Sequence, residues 1–457
     1  MTVNKKTILI LGGSGFIGER LGEVLSERGY LIRILSRNPD RVSGTLAFPC
    51  EVFKWDGSSI PDESIRGCFG VINLAGESVS IGRWTQSKKK RIEQSRVSIT
   101  SALSRAVKNM GAPPEVVIQG SAIGYYGSSS GEKTEDSNPA DDFLGSVCQN
   151  WENALVVDSN KTRIVVMRTG LVLGWSGGAL PELALVYASG LGAVLGNGNQ
   201  CMNWIHIDDI ANFVSEALAH AEYTGPYNLV APENIANKYF HQQLAQYYIL
   251  TSPVAVPSFV LKAVLGQKSS LLLDGPQVVP ENLREIGFKF THSTIESAFS
   301  DLFNKWPVNN VMVLQAKQYI PVSLEEIWSF VSSEVNLEKL TPPWLNFKVL
   351  GKSTPQMQMD TIISYKLKLH GVSFKWKSKI LEWNHQHSFV DTQVKGPYKV
   401  WHHKHSFIKM GDGVQMIDFV QYSLPFFPFS VPMNLYVKKD VEKIFKYRQE
   451  AVRDIFW

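Results

Sequence analysis

The stretch Thr7–Arg37, "TILILGGSGFIGERLGEVLSERGYLIRILSR", decides the fold of the first part of this chain. An apolar run rich in Ile and Leu ends in Gly12, Gly13, Ser14, Gly15, Phe16, Ile17 and Gly18, a GxxGxxG pattern. The segment after it has helical spacing and a glycine at its end, and a second apolar run follows. Strand, glycine turn, helix and strand make a βαβ unit. The glycines permit a tight turn and let backbone N–H groups approach a pyrophosphate at the positive end of the helix. Residues Gly12 to Gly18 are therefore predicted to bind a dinucleotide, against the plainer alternative of a purely structural turn.

Outward from this unit, "GVINLAG", "EVVIQGSA" and "RIVVMRTGLVLG" read as further buried strands, and segments such as "RVSITSALSRAVKNMG" read as the helices between them. The pattern predicts an α/β fold with a Rossmann-type, doubly wound parallel sheet. The second strand ends in Ser36 and Arg37, where an NAD site usually carries an acid. A hydroxyl and a guanidinium suit a 2′-phosphate, so NADP is favoured over NAD. Asp40 offers a carboxylate for NAD instead, and Arg37 has a plain reading as a surface residue. Asp56, after "EVFKW", falls where a third strand would end beside the adenine.

Four motifs extend the pattern: "NLAGE" at Asn73–Glu77; Arg83, Trp84, Thr85, Lys89, Ile92, Ser95 and Arg96; "SAIGYYG" at Ser121–Gly127; and "WIHIDD" at Trp204–Asp209. With them the chain resembles the extended short-chain dehydrogenase/reductases, and more closely an atypical epimerase/dehydratase-like family, as far as about Phe303. The resemblance implies coenzyme contacts from Leu74, Ala75 and Gly76. It also implies a Tyr–Lys pair, because hydride transfer at a carbon bonded to oxygen leaves charge on that oxygen which an acid or base must answer. The pair is absent. Aligned on Glu152, its places fall to Leu144 and Cys148, and "PADDFLGSVCQNWENALVVDS" (Pro139–Ser159) holds neither Tyr nor Lys.

The catalytic candidates that remain are Ser121, Tyr125 and Tyr126. Glu77, Asp142 and His206 are further acids or bases if they face the nicotinamide. A "YYG" after a strand also packs and hydrogen-bonds without ionising. His206 and Asp209 equally suit bracing a loop and capping a helix, and Cys148 is most simply a small core residue. Glu77, Arg83, Trp84 and Trp204 are expected on the substrate side, Arg83 for an anionic group and the indoles for a ring; Trp84 has the alternative of anchoring a helix start.

After "FNKWPVNN" the pattern changes. "VMVLQAKQYI", "DTIISYKLKL", "VSFKWKSKIL", "YKVWHHKHSFIKM" and "VQMIDFVQYSLP" suit an antiparallel sheet with one wet face. Ser323 and Glu326 form a capping box before a helix. "VKKDVEKIFKYRQEAVRDIF" closes the chain as an amphipathic helix with Val437, Val441, Ile444, Phe445, Val452 and Ile455 along one side. This order resembles the START-like (SRPBCC) helix-grip fold, which implies an α+β domain holding a hydrophobic ligand, with the loop "PFFPFS" (Pro425–Ser430) as a lid. His403 and His405 share a strand face, but no third ligand is evident and no metal is expected.

The expected division is residues 1–305 and 310–457. Of 457 residues 44% are hydrophobic, enough for more than one core. No apolar run is long enough to span a bilayer, the initial apolar run is too brief for a signal peptide, and Cys50, Cys68, Cys148 and Cys201 are isolated. A cytoplasmic setting without stable membrane insertion is expected. From Asn310 onward there are 19 Lys+Arg against 13 Asp+Glu, an excess too mild and too spread for nucleic acid. Oligomeric state is not readable from the sequence. The function expected is NADP-dependent oxidoreductase or epimerase-like chemistry on a small molecule; the rival is a non-catalytic NADP-dependent sensor.

Overall fold

A computed structural model describes residues 5–128, 131–303 and 310–457. Met1 to Asn4, where the signal-peptide question begins, and residues 304–309, which take in the end of the expected first unit and the gap between the two, lie outside the described residues.

The first sheet contains β1 (Thr7–Leu11), β2 (Leu31–Ser36), β3 (Glu51–Lys54), β4 (Gly70–Asn73), β5 (Val116–Ala122), β6 (Arg163–Thr169) and β7 (Gly225–Leu229). All pairings are parallel, in the order β7-β6-β5-β4-β1-β2-β3. Ile8, Leu9, Ile10 and Leu11 are all fully buried, as expected for strands covered on both faces. The covering helices include α1 (Phe16–Glu27), α2 (Gln86–Lys108), α3 (Phe143–Asn153) and α4 (Ile207–Ala219).

The run "RIVVMRTGLVLG" is not one strand. It breaks at Gly170, where a Cβ would stand 2.4 Å from the Asn203 carbonyl oxygen. Leu171–Leu173 then leaves the main sheet and pairs with Trp204–His206.

The second sheet is antiparallel: β8 (Met312–Ile320), β9 (Lys348–Lys352), β10 (Ile362–Leu369), β11 (Val372–Asn384), β12 (Ser388–Lys395), β13 (Val400–Met410) and β14 (Gly413–Ser423), in the order β8-β14-β13-β12-β11-β10-β9. A short helix, α5 (Leu324–Val331), is capped by Ser323, whose hydroxyl accepts the Glu326 N–H at 3.2 Å. The last helix, α6 (Asn434–Phe456), buries Val441, Phe445 and Val452. Ile455 departs from the expected stripe, being 44% exposed. The "PFFPFS" loop also departs from expectation. Phe426 and Phe429 stand in solvent at 81% and 87% exposure and line none of the apolar cavity described below.

The two sheets share their cores. Met312, Val420, Tyr422, Val441 and Phe445 cluster with Tyr187, Trp204 and Phe299 of the first part. Across the same seam, Glu23 is 1% exposed and meets Lys317 Nζ and Arg20 Nη1, each at 2.8 Å. Gln318 Nε2 donates to the Gly44 carbonyl (2.6 Å), the Tyr319 N–H to that of Leu46 (2.7 Å) and Gln415 Nε2 to that of Ala47 (2.9 Å). Among the described residues, no helix is long and apolar enough to cross a membrane.

Candidate functional site

At the carboxyl ends of β1, β2 and β4 lies a cleft of about 1310 Å³, where an open parallel sheet of this topology binds its ligands. Its floor is the glycine turn. Gly12 has φ +83, and a Cβ there would meet the Leu74 carbonyl carbon at 3.1 Å. A Cβ at Gly18 would lie 2.3 Å from the Gly12 carbonyl oxygen, and one at Gly13 would lie 2.4 Å from Ile34 Cγ2. Glycine is thus needed for the turn and for seating α1 on the strand. Ser14 and Gly15 line the cleft, where the first-turn N–H groups of α1 have no helical acceptor. This floor fits a dinucleotide pyrophosphate. Gly18→Val is expected to abolish measurable nucleotide binding, read by a fluorescence titration, because the added methyls cannot fit against Gly12.

Gly12, Ser14, Gly15, Ser36, Arg37, Asp56, Leu74, Ala75, Gly76 and Glu77 share this cleft. Of the other predicted contacts, Gly13 and Gly18 act through the packing just described. Phe16 turns toward Gly174, Gly177 and Gly178, and Ile17 packs into the core beneath the sheet. Ser36 accepts the Asn38 N–H at 3.1 Å. Asp56 closes a turn with Ser58, whose hydroxyl and N–H hold its carboxyl below the usual range.

Glu19 was not foreseen. It stands in the first turn of α1 and lines the cleft. Burial, with Glu23 adding to it, pushes its carboxyl up to about 7, which spares a bound phosphate some repulsion. An acid next to the glycine turn was the available signal.

Glu77 is held by Lys88 Nζ at 2.6 Å and Arg91 Nε at 3.3 Å. The Lys88 hydrogen bond, with that from Arg91, keeps its carboxyl below the usual range. Its backbone carbonyl accepts from Arg96 at 2.9 Å, so its role is to tie the "NLAGE" loop to α2. Trp84 donates to the Val79 carbonyl (2.9 Å) and packs edge-on against Phe143, the anchoring alternative. Arg83 is exposed. Trp204 cannot contact a substrate, being 0% exposed within the shared core. His206 caps α4, its Nδ1 accepting the Asp208 N–H at 3.2 Å. Burial pushes its pKa down to about 4. Asp209 braces the loop at Thr291 and His292 by accepting both N–H groups.

The three catalytic candidates surround an ion pair that the sequence reading passed over. Arg168, 4% exposed on β6, donates to both Glu152 oxygens at 2.9 and 3.0 Å. Ser121 donates to Glu152 Oε1 at 2.6 Å. Tyr126 is fully buried, accepts from Arg168 Nη1 at 3.0 Å and donates to Asn228 Oδ1 at 2.7 Å. Burial pushes its phenol up to about 12, so Tyr126 is a strut rather than a reacting group. Tyr125 is half-buried, with the Arg168 guanidinium 3.6 Å from its ring centroid, and its hydroxyl has no hydrogen bond among the described residues. None of the three lines the large cleft directly. On α3, Leu144 packs against Gly124, and Cys148 is 4% exposed with burial pushing its thiol up to about 12. The signal for the pair was an arginine inside the apolar run of β6, a strand covered on both faces, which requires a buried partner.

The second sheet and α6 enclose a separate cavity of about 180 Å³, lined by Leu340, Ile363, Trp376, Phe389, Ile444 and Phe445 among others. One wall is polar. His403 Nε2 and His405 Nδ1 each lie 2.9 Å from Asp418 Oδ1, and Arg448 Nε donates to Asp418 Oδ2 at 3.1 Å. The missing third partner for the histidines is Asp391, directly opposite His403 on β12; the three ligand atoms lie within 4.8 Å of one another. His206, Asp208 and His292 form another such group.

A parallel sheet with a glycine turn at the floor of its cleft defines a dinucleotide-binding α/β protein. The family model described as the NAD dependent epimerase/dehydratase family matches residues 8–230, and a domain of unknown function, DUF1731, matches 256–302. The chain is 35% identical over 303 residues to the chloroplastic SDR39U1 homolog of Arabidopsis thaliana, covering 86% of it, and 32% identical to human SDR39U1, covering 99%. Each match takes in 65% of this chain. The crystal structure of human epimerase family protein SDR39U1 with NADPH aligns with a TM-score of 0.60 at 31% identity, covering 66% of this chain and all of that one. The chain belongs to the NAD-dependent epimerase/dehydratase family. Residues 310–457 lie beyond both family models.

Proposed function

We propose that the chain is an NADP(H)-dependent oxidoreductase or epimerase-like enzyme for a small molecule, built from a coenzyme unit (1–305) and a helix-grip unit (310–457). The observation that carries this reading is the cleft in which the glycine turn and Arg37 stand together. The guanidinium supplies the donors a 2′-phosphate needs, and the relative solved with NADPH supports that choice. The coenzyme would carry hydride to or from a carbon bonded to oxygen. Tyr125 is the candidate for the proton on that oxygen, since Ser121 is engaged by Glu152 and Tyr126 is buried. Ser121 then acts by holding Glu152, and through it Arg168, beneath Tyr125.

The antiparallel sheet, the long final helix and the apolar cavity support a START-like hydrophobic-ligand role for the second unit. A second reading, a sensor that binds NADP without turnover, draws on Leu144 and the inert Cys148 in the places of the catalytic pair. Incubation with NADPH and a panel of carbonyl compounds, followed by nicotinamide absorbance, separates the two. The enzyme reading expects turnover that Tyr125→Phe reduces about 10²-fold or more, the scale of general acid catalysis. Tight binding with no turnover across the panel would favour the sensor.

A further inference from the structure

We propose that the second domain completes the coenzyme site, with Lys446 and Arg453 of the closing helix serving as 2′-phosphate contacts beside Arg37. This rests on the NADP reading above and adds to it residues from a region that neither family model covers.

Three observations converge on it. The cleft that holds the glycine turn and Arg37 is walled on its far side by α6, through Phe445, Lys446, Gln449 and Arg453, together with Glu442 and Glu450. Next, the segment just past Arg37 and Arg41 is fastened to the second domain rather than left as a loop. The carbonyls of Gly44, Leu46 and Ala47 accept from Gln318, Tyr319 and Gln415, and the Arg453 stem lies against Gly44, so that a Cβ there would sit 2.6 Å from Arg453 Cγ. The ribose of a bound dinucleotide belongs at the end of β2, which puts α6 against the phosphate-bearing edge. Finally, the two cations are loosely committed. Lys446 Nζ is 4.0 Å from Glu450 with both side chains about half exposed, and the one ion pair of Arg453 among the described residues is with its exposed neighbour Asp454, at 2.7 Å, the Arg453 side chain itself being 29% exposed. Exposed pairs of this kind hold their members weakly, so a phosphate dianion, with charge-assisted bonds about twice as strong as neutral ones, would draw both cations away from Glu450 and Asp454.

The test is a set of titrations on the full chain with NADPH, NADH and adenosine 2′,5′-bisphosphate. For Lys446→Ala/Arg453→Ala the expected result is a loss of NADPH and bisphosphate affinity of about 10- to 100-fold, the scale of one or two charged hydrogen bonds, with NADH affinity unchanged. The charge-keeping variant Lys446→Arg/Arg453→Lys should recover most of it, and unchanged circular dichroism and thermal midpoint would exclude misfolding as the cause. If the alanine variant binds NADPH as wild type does while Arg37→Ala does not, the second domain takes no part and the proposal falls, with the NADP reading intact. If wild type binds NADPH and NADH equally, both fall. Equal losses for NADPH and NADH would also overturn the proposal, since the helix would then act on the cleft's shape and not on the phosphate.

Discussion

Arg168→Met is expected to destabilise the protein by about 3–5 kcal/mol, because it strands a carboxylate inside the fold. Arg168 and Glu152 are 5% and 14% exposed in their side chains, and the guanidinium serves four acceptors at once: both Glu152 oxygens, the Glu135 carbonyl at 2.9 Å and the Tyr126 hydroxyl at 3.0 Å. Removing it leaves Glu152 with the Ser121 hydroxyl as its one side-chain partner among the described residues. Arg168→Lys should recover only part of the loss, since an ammonium cannot reproduce a planar fork. Chemical denaturation measures the effect, and a double-mutant cycle with Glu152→Gln should return most of the stability. A loss under 1 kcal/mol for Arg168→Met would mean that the pair is hydrated in solution.

Asp418→Ala is expected to cost a similar amount, about 3–5 kcal/mol, by releasing the buried guanidinium of Arg448 together with two histidines. Asp418 is 2% exposed. Burial alone would raise its pKa, yet Arg448, His403 and His405 hold it well below the carboxylate range. A carboxylate depressed in the fold contributes stability that is present above its unfolded pKa, about 3.9, and is lost as pH falls below it. His403 works in an earlier window. Burial pushes it down to about 4, as it does His206, so unfolding takes up protons between that value and the unfolded pKa of about 6.5. Stability should therefore decline as pH falls from about 6.5 toward 4, and decline again below that as Asp418 protonates. Denaturation curves across that range check the sign, and His403→Gln should flatten the upper part.

The sequence made the first sheet legible because both of its faces are covered, which makes β1, β2, β4, β5 and β6 mostly apolar, with Arg33, Gln119 and Arg168 as interior exceptions. β7 escaped because "GPYNL" sits at the sheet edge and opens on Gly-Pro. In the second sheet the long hairpin strands show their alternation, while "KVLGK" and "SFVDTQVK" are broken by glycine or by polar residues; Asp391 was hidden for the same reason. Tertiary packing brings together residues far apart in the chain, and no local pattern announces that. Arg168 and Glu152 are 16 residues apart, and Lys317 meets Glu23 across 294. Trp204 shows the opposite failure. An indole beside a histidine and two aspartates suggests a site, yet hydrophobic burial claims the ring and leaves His206 to cap the helix and Asp209 to brace the loop.

Side-by-side titrations of NADPH and NADH into wild type and Arg37→Ala test the central claim most directly. The account predicts that wild type binds NADPH at least about tenfold more tightly, the contribution of a single charge-assisted contact, and that Arg37→Ala erases most of the difference. Equal affinities in wild type, or a preference that survives the substitution, would contradict it.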